Sequence, residues 1–155
     1  MDDNEKIEIL KLCDNYPKLK DVNGVQTEHA FIKQDNSIIT KLRQSFLTSC
    51  ENFWNFKIEN DFDYIGWVYI DNSEIKAKRT FHTHNKINPF TLTGILYLNL
   101  PESSTPTEFL VGNKKFILPK VIYNWFIFNS NFPHIPGRVT NKKSRYCLSM
   151  DLWLK

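Results

Sequence analysis

Four histidines occur in the 155 residues, and three of them, His82, His84 and His134, fall in the second half. His82-Thr83-His84 has a spacing that sends both imidazoles to the same face of an extended chain. Two imidazoles on one face can chelate a divalent metal. His134 comes 50 residues after His84, in Phe132-Pro133-His134-Ile135-Pro136, at the exit of a strongly apolar stretch. In a β architecture whose sequence-distant strands face each other, that separation can bring a third imidazole opposite the pair. The plainer alternative stays open: His82 and His84 flank a strand end, and His134 is a loop residue bonded to backbone. His29, in the first third, reads as an ordinary surface or core histidine.

Positioning these side chains requires a rigid frame, and the residue patterns predict one from about residue 60 onward. Strands are expected over 64–70, 76–84, 92–100, 108–111, 115–118, 121–128 and 146–154. The breaks carry turn residues: Asp71-Asn72-Ser73, Asn88-Pro89, Pro101 to Ser104, Gly112-Asn113 and Pro136-Gly137. Val111-Gly112-Asn113-Lys114 is a tight hairpin turn by its residue types. Many short strands without interspersed helices predict a sandwich, barrel or jelly roll and not a parallel α/β sheet. Before residue 60 the pattern is helical. Ile7, Ile9, Leu10 and Leu12 mark a short helix over 5–15. Ile38, Ile39, Leu42, Phe46, Leu47 and Phe53 recur at spacings of three and four over 37–53, with Ser37 as the N-cap. These helices are expected to pack on one face of the sheet, so that residues 1–155 form one domain: a supporting helical region (1–60) and a β core (61–155).

Composition narrows the function. Hydrophobic residues at 41% and charged residues at 24% describe an ordinary soluble globular chain, and aromatics at 14% favour a β-rich body. A formal net charge of +3 leaves room for an anionic cofactor or substrate and does not indicate nucleic acid. Lys114, Lys115, Lys120, Arg138, Lys142 and Lys143 make basic loops, read first as solvated charge, with an anionic substrate among the classes left open. Cys13, Cys50 and Cys147 are odd in number and widely spaced, which predicts reduced core thiols. The acidic start has no apolar leader pattern and no apolar run has the length of a membrane span, so no membrane partner and a cytoplasmic location are expected.

The segment His82-Thr83-His84 followed by Leu92-Thr93-Gly94-Ile95-Leu96-Tyr97-Leu98-Asn99 resembles the Fe(II)/2-oxoglutarate-dependent oxygenases of the prolyl-4-hydroxylase type. In that family a His-x-Asp pair precedes a strand ending in Tyr-Leu-Asn. Trp125 to Ser130, then Pro133-His134, then Arg145-Tyr146-Cys147-Leu148-Ser149 is similar to the family's apolar strand, distal histidine and downstream arginine. The resemblance covers roughly residues 64–153 and implies a double-stranded β-helix, the cupin-like jelly roll. It implies Fe(II) as cofactor, 2-oxoglutarate and O2 as co-substrates, and His82 and His134 as metal ligands. Arg145 would pair with the distal carboxylate of 2-oxoglutarate, Tyr97 would hydrogen-bond it, and Ser149 would assist. A guanidinium suits that task because its planar fork grips a carboxylate through two bonds. For Arg145 the alternative is a surface arginine in a basic loop, and for Tyr97 a core aromatic.

His84 stands where the family has a carboxylate ligand. Three readings follow: a three-histidine metal site of His82, His84 and His134; a His84 that leaves one position to water or an anion; or a fold kept as a non-catalytic binding domain. The first is preferred. A cupin-type three-histidine metalloprotein is the enzyme rival, but no Glu or Asp follows within 85–100 and cupins lack the Arg145 feature. The primary substrate is not encoded in any recognisable motif.

Overall fold

The computed structural model describes residues 1–21, 24–55, 57–58, 61–75, 78–84 and 91–154. Asp2 caps the first helix, α1 (Asp3–Asn15), by accepting from the Glu5 amide, and the Glu5 carboxylate accepts from the Asp2 amide in return. Asn36, rather than Ser37, caps α2 (Ser37–Trp54). Asn36 has the extended backbone a cap needs (φ −144°, ψ 137°), and its Oδ1 accepts from the amides of Ile38 and Ile39. Ile38, Ile39, Leu42 and Phe46 are buried on one face of α2, whereas Phe53 is exposed. No described helix is long and apolar enough to cross a membrane.

The chain is mainly β, as expected, in two antiparallel sheets among the described residues. The larger runs β1 (Lys18–Asp21), β2 (Gly24–Thr27), β3 (Phe62–Asp71), β9 (Arg145–Leu154), β4 (Leu92–Asn99), β7 (Trp125–Asn129). The smaller runs β6 (Lys114–Ile117), β5 (Glu108–Val111), β8 (His134–Ile135). Gly112, at φ 59°, turns the β5–β6 hairpin where the sequence places it.

Three further expectations need correction. The region 1–60 is not only helical, because β1 and β2 extend the large sheet at its edge. The strand expected over 76–84 does not form over 78–84, and 76–77 lie outside the described residues. One rung only is made there, with His82 and His134 exchanging both backbone bonds at 2.9 Å. The strand expected from 121 starts at Trp125, because Tyr123 takes a left-handed conformation (φ 57°) that a ladder does not accommodate.

Strand β9 shows how this frame serves two ends. Tyr146, Leu148, Met150 and Leu152 face the helices and join Ile9, Cys13, Ile39, Phe46 and Cys50 in the main core. The alternate residues Arg145, Cys147, Ser149 and Asp151 point to the opposite face. There Cys147 packs with Tyr69, Ile95, Tyr97, Phe109 and Phe128 in a second core. All three cysteines are unpaired and buried, and burial pushes the Cys147 thiol up to about 12. Helix and sheet meet closely at Gly94, where a Cβ would lie 2.5 Å from the ring of Phe46, itself fully buried. Gly94→Ala is therefore expected to cost about 1–3 kcal/mol, measurable as a lower midpoint in denaturant unfolding with an unchanged slope.

Candidate metal centre

The three imidazoles arrive from two stretches of backbone held together by that one rung. His82 and His84 lie on the extended segment after Arg79, and His134 opens β8, paired with Phe109 of β5. The His84 amide donates to the Ser130 carbonyl at 3.0 Å, which keeps the segment alongside the turn before His134. Ring centroids are 4.5 Å apart for His82–His134, 4.8 Å for His84–His134 and 5.4 Å for His82–His84. One candidate ligand atom from each of the three lies within 4.8 Å of the others.

Hydrogen bonds choose which nitrogen faces a metal. Nδ1 of His82 sits 3.2 Å from the Thr80 carbonyl, and Nδ1 of His134 3.0 Å from the Phe132 carbonyl. Nδ1 of His84 is 2.8 Å from the Asp151 carboxylate. All three partners only accept, so each Nδ1 carries the proton and donates, which leaves the lone pair on Nε2. This is the donor set a divalent transition metal takes from neutral imidazoles. Burial, then His84 and His82, push His134 down to about 3, so it stays neutral at physiological pH.

Beside the cluster opens a cavity of about 270 Å³, on the face of the large sheet turned from the helices. Arg145 and Ser149 both line it. Arg145 is 1% exposed, not a surface residue. Its Nη1 donates to the Gly137 carbonyl at 2.8 Å and to that of Thr105 at 3.3 Å. Gly137 has to be glycine for this, since a Cβ would meet the Thr105 carbonyl oxygen at 1.9 Å. Nε and Nη2 of Arg145 have no hydrogen-bond partner among the described residues. Such orphaned donors fit a carboxylate ligand entering the cavity. Tyr97 is fully buried and does not line the cavity. Its hydroxyl donates to Thr107 Oγ1 at 2.9 Å and accepts from the Thr107 amide at 2.7 Å, and Thr107 lines the cavity in its place. His29 is exposed, but its ring packs on Trp67 at 4.7 Å and both line the cavity with the three-histidine cluster.

Two carboxylate partners escape sequence inspection. Asp151 accepts from His84 and, at 2.8 Å, from Thr93 Oγ1. Asp71, with a side chain 0% exposed, sits between Arg79, which bonds it directly, and Arg145, 3.6 Å away. The usable signal for Asp151 is the alternation of β9, where a carboxylate on an otherwise enclosed strand demands a partner. None of the six basic loop residues 114, 115, 120, 138, 142 and 143 lines this cavity; Lys115 pairs with Glu108 and Lys142 with Glu74.

No family model matches the sequence, and no curated protein matches it. Solved structures do. The non-heme alpha ketoglutarate dependent epimerase SnoN from nogalamycin biosynthesis superposes with a TM-score of 0.71 at 12% identity, over 99% of this chain and 74% of that one. A 2OG-Fe(II) oxygenase family oxidoreductase from Burkholderia pseudomallei gives 0.65 at 11% identity, over 98% and 79%. The viral collagen prolyl hydroxylase of Paramecium bursaria Chlorella virus-1, in its 2OG complex, gives 0.55 at 16% identity, over 98% and 90%. The chain thus shares its fold with 2-oxoglutarate-dependent iron oxygenases and carries three clustered histidines on it.

Proposed function

We propose that this chain is an Fe(II)- and 2-oxoglutarate-dependent dioxygenase, a hydroxylase by reaction type, built on a double-stranded β-helix. His82, His84 and His134 hold the metal, and Arg145 anchors the distal carboxylate of the co-substrate. What supports this above all is the meeting of three imidazoles, each with Nδ1 engaged, with a cavity that also presents a buried guanidinium with orphaned donors. When bound, ferrous iron with 2-oxoglutarate and O2 supplies the oxidation of a substrate C–H bond, the keto acid being decarboxylated to succinate.

The protein's own residues supply geometry and polarity. The carbonyls of Gly137 and Thr105 hold Nη1 of Arg145, which leaves the hydrogen-bonding capacity of Nε, and of Nη2 beyond its 3.6 Å ion pair with Asp71, for the carboxylate. Tyr97 acts through Thr107: by donating to Oγ1 it leaves the Thr107 hydroxyl proton for a cavity ligand. Ser149 sits on β9 between Arg145 and Asp151 and offers a further hydroxyl. Ile95, Trp67 and Tyr69 wall the cavity and exclude water. A three-imidazole centre carries one more positive charge than two histidines and a carboxylate. Asp151, bonded to His84, returns a negative charge directly behind it.

A second reading, a non-catalytic jelly-roll binding domain, draws on Asp71, whose carboxylate already stands near Arg145. A cupin-type metalloprotein would use the histidines and leave Arg145 without a task. Anaerobic titration of the purified protein with Fe(II) and then 2-oxoglutarate separates these. The expected result is a saturable, weak visible charge-transfer band that is absent in His82→Ala. Metal uptake with no response to 2-oxoglutarate, or no uptake at all, would overturn the oxygenase assignment.

A further inference from the structure

His84 also lines a second cavity, of about 210 Å³, together with Thr83 and Thr91. Trp67 and His29 belong to both cavities, and Arg145 only to the first. Within the β3–β9 ladder, Trp67 pairs with Ser149, Ile65 with Asp151 and Asp63 with Trp153. Trp67, Ile65, Asp151 and Trp153 therefore share one face, and the two indoles stand four ladder rows apart, roughly 13 Å along the strands. Ile65 lies in the row midway between them, as an apolar floor. The order along this face is the guanidinium, then the histidine cluster with Asp151, then Trp153.

The chemistry of the second cavity differs from the first. Among its described lining residues there is no lysine or arginine. The one carboxylate among its described lining residues is Asp151, whose Oδ1 is already shared by His84 and Thr93. Among the described residues an anion would find no lysine or arginine there and would face a carboxylate. Two indoles and an isoleucine instead offer flat apolar surface, and the exposed Thr83 hydroxyl can orient a neutral polar group. Cavities of about 150 Å³ accept a benzene ring, so this volume suits one substituted ring.

Resting on the metal-centre reading above, we infer that this second cavity is the primary-substrate site and takes an uncharged molecule with a flat, apolar ring, held against Trp67 and Trp153 beside His84. The six basic loop residues that leave an anionic substrate open in the sequence do not line it.

The four tryptophans, Trp54, Trp67, Trp125 and Trp153, provide the readout. The metal-free protein is titrated with benzyl alcohol, benzenesulfonate and benzylammonium while the indole N–H signals are followed by NMR. Benzyl alcohol should shift the Trp67 and Trp153 signals saturably and leave Trp54 and Trp125 in place, with the two charged probes binding at least tenfold more weakly. Trp153→Ala should weaken the alcohol about tenfold or more, and Trp153→Phe should keep most of the binding. Tighter binding of either charged probe, or alcohol binding indifferent to Trp153→Ala, would overturn the assignment of substrate class. Adding Fe(II) tests the other premise separately: bound probe protons should relax faster beside a paramagnetic ion. Probe binding without that enhancement would remove the metal from the neighbourhood, and with it the role as substrate site, while the ring preference stands.

Discussion

Arg145→Gln is expected to abolish the 2-oxoglutarate response and also to destabilise the fold by about 3 kcal/mol, and the second effect should be largely reversed by adding Asp71→Asn. Asp71 is completely enclosed, and its ionised form depends on Arg79 and Arg145. Burial holds its carboxyl above the ordinary value, with the two arginines pulling the other way. Taking one guanidinium away leaves a poorly compensated buried carboxylate, which costs far more than the pair itself contributes. Two guanidinia against one carboxylate leave a single net positive charge here. That charge is what an incoming dicarboxylate would meet. Asp71→Asn alone should accordingly tighten 2-oxoglutarate binding, and Arg145→Gln with Asp71→Asn should recover stability without recovering the co-substrate response. Denaturant unfolding of the four proteins forms a double-mutant cycle, and the charge-transfer titration reads the other axis. If the double variant were no more stable than Arg145→Gln, the coupling assigned to this pair would be wrong.

Asp151→Asn should lower metal affinity by about 10–100-fold while leaving the fold intact. The carboxylate does two things for His84. At 2.8 Å it fixes the ring and holds the proton on Nδ1, and it places a negative charge behind an imidazole proposed to stand in for a carboxylate ligand. An amide keeps the shape but not the charge, and turned the other way it would present a donor to Nδ1 and move the imidazole proton onto Nε2. Thr93, which donates to the same oxygen at 2.8 Å, helps keep the carboxylate in place. Competition with a chromogenic chelator for Zn(II) or Fe(II) measures the effect without any assay of turnover. An affinity equal to wild type would mean that Asp151 is a satisfied core carboxylate and nothing more.

Much of the frame is legible because burial imposes period-two and period-3.6 patterns that the chain must carry locally. The α2 stripe and the strands β3, β4, β5, β6 and β9 stand within a few residues of where the patterns put them. The pattern fails where burial does not impose it. Lys18-Leu19-Lys20 forms an edge strand with no apolar face, so β1 leaves no trace. The expected 121–124 section of β7 is lost to the backbone angle of Tyr123.

By itself the sequence singled out residues that the fold brings to one cavity: three histidines, an arginine eleven residues after the last, and a β body to hold them. Tertiary structure alone decided who pairs with whom. Asp71 meets Arg145 because they are opposite each other in the β3–β9 register, and Asp151 meets Thr93 because they are opposite in β9–β4. His82 meets His134 across a single rung. Register is a long-range choice fixed by the helix-facing residues of each strand, which must all bury at once. The polar residues on the other face are carried to their partners by that choice, so neither their pairing nor the second cavity beside His84 is written in any local stretch of the chain.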